Sequence, residues 1–116
     1  MRATLALACL LAASAVMLGA FGAHGLKDSL TPARLATWET ASRYQFFGAL
    51  GLQIAALHPR PSMLGLSLLG LGTVIFSGSL YLLCLTDQRA WGALTPLGGL
   101  LQIVAWLWLG WKAWRS

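Results

Sequence analysis

Uncharged, largely apolar stretches alternate along this chain with short breaks rich in Pro, Gly, Lys and Arg. Residues 4–23 and 63–85 carry no charged side chain, and residues 96–114 carry only Lys112 near their end. Each is about 19 to 23 residues long, close to the roughly 20 that a helix needs to cross the hydrocarbon core of a bilayer. A further uncharged stretch, residues 44–57, is shorter. At about 1.5 Å per residue it reaches roughly 21 Å, against a core of about 30 Å. The helix that contains it should start earlier, because Thr31 followed by Pro32 reads as an N-cap and a first-turn proline. His58-Pro59-Arg60-Pro61 should stop it. The pattern predicts four helices, at about 4–23, 32–57, 63–85 and 96–114, with Thr95-Pro96 opening the last. Leu-Thr-Pro at 30–32 and again at 94–96 then precedes both even-numbered helices, which suggests two tandem helical hairpins.

The second helix carries a consequence. To span, it must draw on residues back to about Trp38, which puts Glu39 and Arg43 at the membrane boundary. They are four residues apart, acid first, the favourable order for an ion pair on one helix face. Pairing lowers the cost of holding both charges where hydration is poor.

Composition supports lipid as the solvent. The chain is 58% hydrophobic and 9% charged, whereas soluble domains carry about 25% charged residues. A chain of 116 residues makes one domain, and one this short cannot hide so much apolar surface from water. The expected fold is an all-α integral membrane four-helix bundle, with residues 1–116 forming a single transmembrane domain. The net charge of +5 comes from eight scattered Lys and Arg, with no basic run, so these flank a membrane and do not form a nucleic-acid surface. Arg2, an apolar stretch and Ala13-Ser14-Ala15 resemble a cleavable signal, but the apolar run continues to Ala23 and is read as a retained first helix. Cys9 and Cys84 fall at different depths and read as apolar fillers.

Helices in lipid associate through small residues. Ala15, Gly19 and Ala23 on helix one, Gly51 and Ala55 on helix two, and Thr73 and Ser77 on helix three are the expected contacts. Trp108, Trp111 and Trp114 should anchor one membrane boundary, and Trp38 and Trp91 the other. Lys and Arg divide evenly. Arg2, Arg60, Lys112 and Arg115 lie on the side of the termini, and Lys27, Arg34, Arg43 and Arg89 on the other. Drawing Arg43 toward Glu39 leaves a slight lean to cytoplasmic termini.

The carboxylates do not divide evenly. Asp28, Glu39 and Asp87 all fall on the side away from the termini, where His24, Trp38, Tyr44, Gln45, Ser79, Tyr81 and Thr95 also lie. One account is a polar pocket or docking site with Glu39 and Arg43 at its centre. The other is that these groups satisfy helix ends and one another. His24, at the outlet of helix one, reads as a proton carrier or as a C-terminal cap. His24 and His58 end antiparallel helices roughly 30 Å apart and cannot share a haem. No metal-ligand spacing, phosphate loop or catalytic triad is present, so neither a metal nor a cofactor is expected.

Five segments carry a resemblance. They are Gly19-Ala20-Phe21-Gly22-Ala23-His24-Gly25-Leu26, Trp38-Glu39-Thr40-Ala41, Arg43-Tyr44-Gln45, Phe76-Ser77-Gly78-Ser79-Leu80-Tyr81 and Thr95-Pro96-Leu97-Gly98-Gly99. In this order and spacing the chain resembles the domain-of-unknown-function 423 family, small multi-pass membrane proteins similar to the eukaryotic transmembrane protein 256. The resemblance implies a multi-pass protein of the bacterial inner (plasma) membrane and supplies no reaction, substrate or cofactor. Gly48 stands where the family pattern often has a histidine, so no His pair with His24 is implied. The motifs fall on the residues that polarity selects: His24, Trp38, Glu39, Arg43, Tyr44, Gln45, Ser77, Ser79, Tyr81 and Thr95. The expected function is a non-enzymatic membrane module that binds a membrane-protein partner or lipid through this polar cluster. Its environment is the lipid bilayer, and a homo-oligomer is compatible with it. The rival from another class is a small oligomeric transporter or channel for an ion or small solute, gated near Glu39 and Arg43.

Overall fold

The computed structural model describes residues 1–116 as four helices and no strand: α1 (Arg2–His24), α2 (Pro32–Ala56), α3 (Met63–Thr86) and α4 (Arg89–Arg115). Capping chemistry sets two of the starts. The Thr31 hydroxyl accepts from the Arg34 amide at 3.2 Å, with Pro32 in the first turn, and the Ser62 hydroxyl accepts from the Gly65 amide at 3.1 Å. Each satisfies an amide that has no partner within its own helix.

The start of α4 differs from expectation. It begins at Arg89, seven residues before Pro96, and Pro96 lies inside it. Thr95 is therefore not its N-cap. Asp87 explains the change. It adopts the left-handed conformation (φ 57°, ψ 22°), which a short polar residue tolerates, and it turns the chain within two residues. The extra two turns of α4 pack on α3, where the Thr95 hydroxyl lies 2.6 Å from that of Ser79. The two Leu-Thr-Pro tripeptides thus do different jobs, although successive helices do pair as antiparallel hairpins.

Each helix packs on its neighbours in chain order: α1 on α2, α2 on α3, and α3 on α4. The close approaches are made at glycines. A Cβ on Gly48 would overlap the Thr73 side chain, and one on Gly98 would overlap the Phe76 backbone and lie 3.0 Å from the Gly72 carbonyl. Gly48 is thus a packing position at the α2–α3 crossing. On α1 the buried residues are Ala8, Ala15 and Gly22, seven apart. This heptad seam replaces the expected four-residue stripe. Ala15 belongs to it, Gly19 is half-buried, and Ala23 faces outward.

The distribution of side chains is inverted relative to a soluble bundle. Ser42, Gln45, Thr73, Ser77, Ser79 and Gln102 are buried, while Leu7, Leu10, Val16, Ile54, Leu71 and Leu107 are largely exposed. Helices α1, α3 and α4 are each long and apolar enough to cross a membrane. With 25 residues, α2 reaches about 37 Å at 1.5 Å per residue, and it is the least apolar of the four helices because it carries Arg34, Glu39 and Arg43. The fold is an all-α membrane bundle.

The glycine crossings yield a prediction. Gly98→Ala drives a methyl into the α3 backbone and should destabilise the bundle by about 1–3 kcal/mol. Gly110→Ala meets open space and should be neutral. Reversible unfolding in mixed micelles measures both.

Candidate functional site

Trp38 and Gln45 lie two turns apart on α2 and face the junction with α1 and α3. Both are buried, at 3% and 5% exposure. A buried indole needs an acceptor for its N–H. Trp38 Nε1 donates to the Leu18 carbonyl of α1 at 2.7 Å, and its ring fills the space left by the missing side chain of Gly22. Tyr81 of α3 packs edge-on against the indole, with centroids 4.7 Å apart. Trp38 is therefore not a boundary anchor, as its place in the sequence suggested, but a bolt across three helices.

Gln45 completes the junction. Its amide nitrogen donates to the Leu11 carbonyl at 2.9 Å and to the Ser14 hydroxyl at 2.7 Å. Its oxygen accepts from the Tyr81 hydroxyl at 2.7 Å. One side chain thereby joins α1, α2 and α3. Nearby, the Ser77 hydroxyl donates to the Ala41 carbonyl at 2.7 Å. No buried side-chain nitrogen or oxygen is left without a partner.

The ten residues singled out by sequence separate into three groups. Trp38, Gln45, Ser77 and Tyr81 form the α1–α2–α3 junction. Ser79 and Thr95 face each other between α3 and α4. His24, Glu39, Arg43 and Tyr44 point outward. Glu39 and Arg43 form the expected i,i+4 ion pair at 2.7 Å, but their side chains are 69% and 55% exposed. The pair lies on the outer surface of α2 and not at the centre of a pocket, because the inward face of α2 is taken by Trp38, Ala41, Ser42 and Gln45. Tyr44 packs against Phe47 and Phe76, with centroids 5.5 and 5.1 Å away.

Several partners were not foreseen. Arg34 places Nε and Nη2 at 3.2 and 2.8 Å from one oxygen of Asp87, tying the start of α2 to the α3–α4 turn. The Cys84 thiol donates to the Arg34 carbonyl at 3.3 Å, and Gln102 donates to Thr73 at 3.2 Å. Ser14 had one visible signal, a hydroxyl residue midway along an otherwise apolar helix. The junction itself offers hydroxyls, an amide and an indole. These can bind, orient and stiffen, but they form no nucleophile–base pair. No three of His, Cys, Asp and Glu lie close enough together to hold a metal.

Fold and site define the class: a small multi-pass helical membrane protein with an inside-out polarity pattern and a hydrogen-bonded junction of motif residues. The family model described as "Protein of unknown function (DUF423)" matches residues 18–99, and the chain belongs to that family. The chain is 44% identical over 111 residues to a "UPF0382 membrane protein" of Staphylococcus epidermidis, covering 92% of this chain and 91% of the relative. It is 41% identical over 113 residues to the "UPF0382 membrane protein YwdK" of Bacillus subtilis, covering 92% of each. A UPF0382 membrane protein of Schizosaccharomyces pombe is 39% identical over 102 residues, covering 78% of this chain and 84% of the relative. These names assign no reaction, and no solved structure matches the chain.

The junction should be cooperative. Gln45→Leu and Tyr81→Phe each remove the bond between the two side chains, and each should cost about 1–2 kcal/mol. The double variant should cost less than their sum, since the shared bond can be lost only once. Glu39→Gln, on the surface, should cost under about 1 kcal/mol. Unfolding titrations of the four variants measure the coupling.

Proposed function

We propose that this protein is a non-enzymatic module of the plasma membrane that docks a second membrane protein through the outward polar strip of α2. The carrying observation is the Glu39–Arg43 pair, joined at 2.7 Å yet exposed on the outside of a membrane helix. A charged pair on that surface is costly in lipid and adds little to the fold. It gains value when a polar partner covers it. Tyr44 follows Arg43 directly and adds an aromatic contact of the kind enriched at interfaces. Behind the strip, the Trp38–Gln45–Tyr81 junction holds α2 rigid against α1 and α3, which lowers the ordering cost of binding. An oligomeric transporter or channel draws less support, because the buried polar groups already bond within the chain.

The charge pattern does not favour either orientation: four Lys and Arg lie on each side, and the positive-inside rule counts them whether or not they are paired.

A photo-crosslinking residue at position 44 should capture one distinct membrane protein in native membranes, whereas the same residue at position 107 should label mainly lipid. Reversing the pair with Glu39→Lys and Arg43→Glu should reduce the adduct by tenfold or more. Adducts only with a second copy of this chain, or adducts indifferent to the reversal, would remove the proposal.

A further inference from the structure

At the opposite end of the molecule, a groove of about 370 Å³ opens between the last turns of α2 and α4, which meet through the Trp106 ring over Gly51. Its walls are apolar: Ile54 and Ala55 from α2, and Trp106 and Leu109 from α4. Its rim is basic, formed by His58, Arg60, Lys112 and Arg115. The backbone amide of Arg60 donates to His58 Nδ1 at 3.0 Å, so the neutral ring carries its proton on Nε2, as a donor. Lys112 and Arg115 lie over the Trp108 and Trp111 rings, at 5.9 and 5.5 Å. None of the rim cations has an acidic partner, because both ion pairs and all three acidic side chains lie at the other end.

A second groove, of about 350 Å³, lies on the other side of Trp106, toward the middle of the bundle. It runs over Gly48 and Gly99 between Phe47, Phe76 and Ile103, and it shares Trp106 with the first. A basic mouth and a mostly apolar trough thus adjoin at the edge of one ring, Trp106. Free phosphate would use only the mouth. A phospholipid uses both parts, and unneutralised basic pockets between transmembrane helices suit anionic headgroups.

We propose that this α2–α4 cleft is a binding site for one anionic phospholipid, its phosphate held by Arg60, Lys112 and His58 and one acyl chain lying past Trp106 over Gly48 and Gly99. The basic mouth is at the opposite end from Glu39 and Arg43 and faces the leaflet next to the termini, and the inner trough meets the outward strip at one residue, Tyr44.

Native mass spectrometry of the full chain in mild detergent tests this, with phosphatidylglycerol and phosphatidylcholine of the same acyl chains as probes. One phosphatidylglycerol per chain should be retained in preference to phosphatidylcholine. Arg60→Gln with Lys112→Gln should weaken retention by about tenfold to thirtyfold. Both side chains are exposed, so the variant should keep its helicity by circular dichroism. Lys27→Gln with Arg89→Gln removes the same charge at the other end and should change nothing. Gly99→Leu, which narrows the trough, should also weaken retention. Equal retention of the two lipids would overturn the proposal, as would an Arg60/Lys112 variant that binds like the wild type. Displacement of the lipid by millimolar inorganic phosphate would instead mark a soluble-anion site and would also overturn it.

Discussion

The Gln45 amide has two hydrogens and one oxygen committed, and its partners come from α1 and α3. Much of the structure depends on that fact. In lipid an apolar face gains nothing by turning inward, so helices stay together through close approach and a few buried polar contacts. Glycines and alanines bring the backbones close, and an amide and an indole cross the gap that results. Trp38 and Gln45 are placed so that Tyr81 serves both, with its ring against one and its hydroxyl on the other. Losing Gln45 or Tyr81 leaves the other with a buried polar group unpaired, and losing Trp38 leaves a void where its ring packs between Gly22 and Tyr81.

Much of this was legible from residue order, and the reasons are local. The helix ends at Thr31-Pro32 and at the Pro59–Pro61 break follow from capping and proline sterics, and these operate within one turn. The Glu39–Arg43 pair follows from i,i+4 geometry. The misreadings arose where a distant neighbour decides. Trp38 looked like a boundary anchor because its partner, the bare backbone around Gly22, lies sixteen residues away. Thr95-Pro96 looked like a helix start because the turn residue that actually opens α4 is Asp87, whose left-handed backbone carries no motif. The inward or outward sense of Glu39 depended on which α2 face the neighbouring helices covered, and charge spacing alone does not contain that.

The two ends of the molecule differ in a way that organises its surfaces. One end holds every acidic side chain, two ion pairs and the polar strip of α2. The other holds unpaired cations around a cleft. The separation follows from the order of the helices: α3 packs on both α2 and α4, and the cleft is left where only the Trp106 ring reaches across to Gly51.

The connection between α3 and α4 is only Asp87 and Gln88. So short a link fixes the ends of α3 and α4 at one depth, and neither helix can slide along the other without opening the turn. The Arg34–Asp87 bridge passes that constraint on to the start of α2, so three helix ends are held in one register by a single corner.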